Sequence, residues 1–193
     1  MERHPDRQDQ VLTPDELTES FEPIVGQSVV LRTLRREDID IEGSFLRALS
    51  PESRHNRLLG GMIQITPEYL KRLTTVDFSR DMALAAVLML DGREVLIGVA
   101  RYVLEAEGRA VLEADGHACE FALVIADAWQ GRGIGRRMME KLIDVARGRG
   151  LTEIYGDVLS TNRPMLDFCR KFGFTLGRNP DDATVTRVTL PLI

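Results

Sequence analysis

Cysteine is scarce in this chain, and so is lysine. The two cysteines, Cys119 and Cys169, stand alone in apolar surroundings with no second ligand at metal-binding spacing. That excludes a disulfide framework and a zinc ribbon, and points to reduced thiols in a cytoplasmic protein with no metal. No run of 18 apolar residues occurs, which excludes a transmembrane helix. The first ten residues, MERHPDRQDQ, hold no apolar stretch, so no signal peptide is expected. Only Lys71, Lys141 and Lys171 are lysines, so 22 of the 25 basic residues are arginines. An arginine excess of this kind reflects genome composition as much as ligand binding. There is no basic face either. Residues 1–22 carry seven acids against Arg3 and Arg7, a balance of −5, which equals the net charge of the whole chain. The remainder is formally neutral, so neither nucleic acid nor a membrane surface is an expected partner.

What is present is enough apolar residue, 44%, for a sizeable core, and 193 residues suit one domain with an extension. Residues 1–26 read as an acidic N-terminal extension, partly disordered, with a helix start at Thr13-Pro14-Asp15-Glu16 reaching about Ser20. Ser28–Leu34 reads as a strand. Helical spacing follows in Arg36–Leu49, and Ser50-Pro51 and Thr66-Pro67 open two short helices. Met82–Leu90 and Val95–Leu104 are apolar runs joined by Asp91-Gly92, a hairpin signal. A polar connection, 105–115, leads to a third strand at His117–Ala126. Gly133–Arg147 is an amphipathic helix, with Ile134, Met138, Leu142 and Val145 on one face. A strand at Thr152–Leu159, a helix at Asn162–Phe172 and two last strands complete the chain. This order predicts a mixed α/β sheet with helices packed on its faces.

The chain is organised around the third strand and the helix after it. Between them lies Gln130-Gly131-Arg132-Gly133-Ile134-Gly135. A glycine turn that opens a helix is an anion seat, because first-turn N–H groups lack intrahelical partners and the dipole is positive there. Arg132, Arg136 and Arg137 add charge around it. No Lys follows the glycines, which excludes a Walker A loop, and the second glycine spacing is wrong for a dinucleotide fingerprint. The pattern Q/R-x-x-G-x-G/A remains. It resembles the pyrophosphate loop of the GNAT superfamily of acyl-CoA-dependent N-acetyltransferases. Asn162-Arg163-Pro164-Met165 followed by Phe172-Gly173-Phe174 resembles that family's second signature. Leu34–Asp38, Leu49–Arg54, Ile97–Tyr102 and Glu120-Phe121-Ala122 look like the acetyltransferase domain of the bacterial Pat-type protein lysine acetyltransferases.

The resemblance implies a GNAT fold over residues 27–193, with a mostly antiparallel central sheet and helices on both faces. It implies acetyl-CoA as acyl donor. Leu123, Val124 and Ile125 would hold the pantetheine arm through a splayed strand. Gln130, Gly131, Arg132, Gly133, Ile134, Gly135 and Arg136 would take the pyrophosphate, and Asn162 would bond the pantetheine or shape the site. The implied acceptor is an amine, foremost a lysine of a protein such as an acyl-CoA synthetase, with the enzyme a monomer or homodimer. A small-molecule amine and a non-catalytic acyl-CoA-binding module are the alternatives.

An amine with pKa about 10.4 must lose a proton before it attacks. Glu120 is the candidate base, because a carboxylate inside an apolar strand is costly without a purpose or a partner. Extended geometry puts Glu120, Ala122 and Val124 on one face, with Glu120 about 13 Å from Val124. His117 is the reserve base. Many family members carry a Tyr acid in the late helix; the matching residue here is Cys169.

Overall fold

The computed structural model describes residues 17–104 and 118–192. The expected helix start at 13–16, the polar connection at 105–115 and His117 lie outside the described residues. An eight-stranded sheet holds the molecule together, in the order β1-β2-β3-β4-β5-β6-β8-β7. Its strands are β1 (Glu19–Ile24), β2 (Gln27–Thr33), β3 (Met82–Leu90), β4 (Arg93–Leu104), β5 (Ala118–Ile125), β6 (Glu153–Leu159), β7 (Thr175–Arg178) and β8 (Val185–Pro191). The helices are α1 (Ile39–Ala48), α2 (Pro51–Arg57), α3 (Pro67–Thr74), α4 (Ile134–Gly148) and α5 (Arg163–Lys171). This is the expected mixed, mostly antiparallel sheet with helices on both faces.

Local chemistry sets the boundaries. Asp91 and Gly92 take φ of +51° and +74°, the pair of left-handed residues that a tight hairpin between twisted strands requires. Ser50, Thr66 and Asn162 cap α2, α3 and α5 by accepting from the N–H groups of Ser53, Tyr69 and Met165. The helix expected to reach Leu59 stops at Arg57, where the Leu58 and Gly60 N–H groups close back on Arg54 and His55.

Residues Glu19–Ile24 depart from expectation. Glu19 and Ser20, read as the end of a helix, open β1, which pairs antiparallel with β2. The sheet therefore begins ahead of the expected boundary at residue 27. Alternation explains the strand, because Phe21 turns inward onto the core while Ser20 and Glu22 face water.

Two cores cover the two faces. On one, Ile134, Met138, Met139 and Leu142 of α4 and Leu166 of α5 pack on Tyr102, Phe121 and Ile125. On the other, Phe45, Leu46 and Leu70 of α1 and α3 pack on Ala85, Val99 and Val124. Each large side chain buried this way contributes about 1.5–3 kcal/mol.

The only parallel pair among the described strands is β5 and β6, and it is short. Ala118, Cys119 and Glu120 pair with Glu153, Ile154 and Tyr155, and beyond that rung the strands part. Past Glu120, β5 is paired with β4 alone and β6 with β8 alone. The Phe121 ring sits in the fork. A Cβ built on Gly156 would lie 2.6 Å from Phe121 Cε1 and 3.0 Å from two further ring carbons. Gly156 thus makes room for the wedge that separates the strands. Gly156→Ala is expected to cost about 1–3 kcal/mol through overpacking. At roughly 2–4 °C per kcal/mol for a chain of this size, a thermal melt resolves that loss. An unchanged melting temperature would show that Phe121 is free to step aside.

Candidate active site

The gap between the parted strands opens into a cavity of about 540 Å³, within the range of small-molecule sites. Its lining includes successive residues of β5. Leu123 and Ile125 pack with the α4 and α5 core, whereas Val124 packs with the α1 and α3 core. Alternation therefore places Glu120, Ala122 and Val124 on one face of the sheet and Phe121, Leu123 and Ile125 on the other. Residues of both sets line the cavity, so it passes through the sheet from face to face.

At one end stands the N-terminus of α4. Gly133 is its cap residue, with φ +81°, and no side chain caps it. No acid lies in its first turn, so its N–H groups remain open to an anion. Gly131 shares the left-handed backbone, at φ +72°, with nothing within 4 Å of a built Cβ at either glycine. Backbone sign, not lack of space, is what demands glycine at both positions. Gly135 differs. Its φ is ordinary and a Cβ there would make normal contacts with Ile125 and Leu123, at 3.5 and 3.6 Å. The G/A tolerance of the motif's last position follows from that.

The structure brings Glu120, Leu123, Val124, Ile125, Gln130, Gly131, Gly133, Gly135, Arg136 and Asn162 together around this cavity. Two expected residues turn their side chains elsewhere. Ile134 buries its side chain in the α4 core, although its backbone begins the first turn of α4. Arg132 folds back, donating from Nε to the Ala128 carbonyl at 3.0 Å and stacking over Trp129. Arg137 also leaves the turn, lying over the Phe21 ring and 3.6 Å from Glu19. Arg136 is the guanidinium that stays, tethered to Glu140 at 2.8 Å. Cys169 is fully buried and packs in the core behind α5.

Sequence reasoning missed a latch at the strand end. Asp127 accepts from the Ser50 N–H and Oγ at 2.9 and 2.6 Å and from Ser53 Oγ at 2.7 Å. Gln130 donates from Nε2 to Ser53 Oγ and to the Ile125 carbonyl, at 3.2 and 3.1 Å. The latch holds α2 against the cavity. Ser50 was legible as a helix cap, but nothing local links it to an aspartate 77 residues away. Glu42 was also missed. It is a buried carboxyl on the α1 side, 3.8 Å from Arg101. Burial pushes its pKa up, against the opposing effect of Arg101.

At the other end of the cavity, Glu120 is exposed and faces Tyr155 across the last paired rung. Glu52, Asn56 and Arg57 of α2 and Asp157 of β6 line the same cavity. An anion seat and a carboxylate thus open onto one passage from opposite ends.

Comparison with known proteins identifies the architecture. The acetyltransferase (GNAT) family model matches residues 55–174. The chain belongs to the acetyltransferase (GNAT) family. Acetyltransferase PA5475 of Pseudomonas aeruginosa is 38% identical over 159 residues, covering 82% of this chain and 81% of that protein. Among solved structures, the GNAT domain of S. lividans PAT superposes with a TM-score of 0.78 at 26% identity, covering 93% of this chain and 99% of that one. Arabidopsis thaliana NAA60, solved with acetyl-CoA, shares the fold with a TM-score of 0.65 at 16% identity, covering 84% and 98%. Acetyl-CoA is the family's acyl donor. Among the described residues no helix is long and apolar enough to cross a membrane.

Two measurements check this geometry. Burial pushes the thiols of Cys119 and Cys169 to about 12, so neither is expected to react with iodoacetamide at pH 8 until the GNAT fold is unfolded. Labelling of the native protein would show that Cys169 reaches the cavity. The second concerns the latch. Hydrogen bonds from Ser50 hold the Asp127 carboxyl below its ordinary pKa. A carboxyl depressed on folding stabilises the fold above its unfolded pKa, near about 4, and loses that contribution as pH falls through the folded value. Wild type is therefore expected to be more stable than Asp127→Asn at neutral pH, with the gap closing in acid. A pH-independent gap would rule out a charged latch.

Proposed function

We propose that this GNAT member is an acetyl-CoA-dependent N-acetyltransferase whose acceptor is a lysine amine of a protein. One observation carries the reading: the cavity crosses the sheet at the β5–β6 fork, with the anion seat of α4 at one end and Glu120 at the other. Donor and acceptor then meet inside the fork, which supports direct transfer with no acyl-enzyme.

The residues present suit a pantetheine thioester. Across Leu123, Val124 and Ile125, the edge of β5 turned away from β4 carries the backbone of Leu123 and the Ile125 N–H, which can take the pantetheine amides as an added strand would. Gly131, Gly133 and the first turn of α4 can cradle a diphosphate, with Arg136 and Gln130 beside them and Asn162 across the cavity. Acetyl-CoA supplies the acyl carbon and a thiolate leaving group with pKa near about 8.5. The chain supplies the rest. A free backbone N–H near Val124, on Leu123 or Ile125 where the backbone turns away from β4, would face the developing oxyanion, a donor typically worth about 3–4 kcal/mol. Glu120, directly or through water, takes the proton from the incoming ammonium. The amine nitrogen then bonds to the acyl carbon as the carbon–sulfur bond breaks, and its second surplus proton passes to the departing thiolate, which leaves as the CoA thiol.

A polypeptide acceptor is favoured over a free small amine by the rim. Leu59 lines the cavity, and the segment it opens exposes Met62 fully and Ile63 by nearly half, 99% and 44%. Exposed apolar residues following one that lines the cavity suit a side chain presented on a folded partner. The likeness to the Pat-type domain supports an acyl-CoA synthetase as that partner, in the cytoplasm.

Glu120→Gln is expected to keep acetyl-CoA affinity while slowing CoA release roughly a hundred- to ten-thousandfold. Equal turnover in mutant and wild type would remove Glu120 as base. Incubating the protein with acetyl-CoA and a lysate, then mapping acetyl-lysines by mass spectrometry, tests the acceptor. A blank map with free polyamines consumed would favour a small amine.

A further inference from the structure

Four side chains share the acceptor face where the strands part. Glu120 pairs across the last β5–β6 rung with Tyr155. Asp157 follows Tyr155 by two residues on β6, hence on the same face, and lines the cavity. Arg187 lies directly opposite Asp157 on β8. Arg187 donates from Nε to Asp157 Oδ1 at 2.9 Å and from Nη2 to Oδ2 at 2.8 Å. Its guanidinium also lies 4.7 Å over the Tyr155 ring, and it senses the charge of Glu120.

That fork fixes the Asp157 carboxylate in one orientation, with its side chain only 15% exposed. Each carboxylate oxygen has a second acceptor site beyond the one Arg187 fills. Since both oxygens already accept from a guanidinium, Asp157 is a poor place to deliver a proton. It is a good place to hold a cation. An incoming amine arrives as an ammonium with three donors. If Glu120 alone had to bind that cation, the ion pair would oppose the proton loss that the reaction needs. A second, fixed carboxylate separates holding from deprotonation.

We infer that Asp157 is the acceptor-binding carboxylate, held by Arg187 as a positioning residue, and that the ligand it selects is a primary ammonium on a lysine side chain. This rests on the acyl-transfer reading above. A neutral hydroxyl or thiol acceptor would gain nothing from the arrangement. Asp157 is a binding group and Arg187 touches no substrate.

The test uses the full chain saturated with desulfo-CoA, which cannot transfer. Nα-acetyl-lysine N-methylamide is titrated by NMR against wild type, Asp157→Asn, Arg187→Gln and Arg187→Lys. Nα-acetyl-norleucine N-methylamide serves as the probe without the ammonium. Wild type is expected to prefer the lysine probe. Asp157→Asn and Arg187→Gln are expected to weaken it about tenfold or more, Arg187→Lys less, with the norleucine probe and desulfo-CoA binding unchanged. Equal lysine affinity in wild type and Asp157→Asn would overturn the inference, as would a wild type that does not distinguish the two probes. If wild type shows the expected binding yet never acetylates the lysine probe or a protein, the acyl-transfer reading fails and the ammonium site stands. Loss of desulfo-CoA binding together with the lysine probe would mark a folding defect; Asp157→Glu, which keeps the charge, must then restore the preference for lysine, or the inference falls.

Discussion

Everything functional here depends on one hydrogen-bonding decision. Two parallel strands, β5 and β6, share three rungs and then separate. Backbone amide groups left unpaired in an interior cost free energy unless something satisfies them. A sheet that parts in its middle therefore either wastes that energy or reserves the free edge for a ligand. Gly156 and Phe121 make the parting obligatory, because the ring occupies the space that a Cβ would need. The α4 crossover, which must link two parallel strands, delivers its N-terminus to the mouth of the same gap. Fork and anion seat are thus consequences of one topology.

Much of this was legible in the residues. The glycine pattern, the Asp91-Gly92 hairpin and the helical spacing of α4 are local signals, and local signals read well. The strand β1 was not legible. Its acids, Glu19 and Glu22, were counted with the acidic tail, and the single inward aromatic, Phe21, is too little alternation to overrule composition. The direction of each arginine was not legible either. Arg132, Arg136 and Arg137 look equivalent along the chain. Each lies over a different ring, Trp129, Phe172 and Phe21 in turn, and only Arg136 is left lining the cavity.

The acceptor half of the site was the least readable. Glu120 announced itself as a charge inside an apolar run. Asp157 and Arg187 sit 30 residues apart on strands that a sequence cannot place side by side, and each looks like an ordinary solvent-facing residue. Their meaning comes from cross-strand register, which is a tertiary fact.

The latch at the strand end has a thermodynamic corollary. Gln130 belongs to the glycine turn that opens α4, yet its amide reaches both the Ile125 carbonyl and Ser53 of α2. Ser53 in turn shares Asp127 with Ser50. The wall that would meet the donor and the wall that would meet the acceptor are therefore one hydrogen-bonded body. A ligand that stiffened one wall would stiffen the other, and any coupling that followed would have to be equal in both directions.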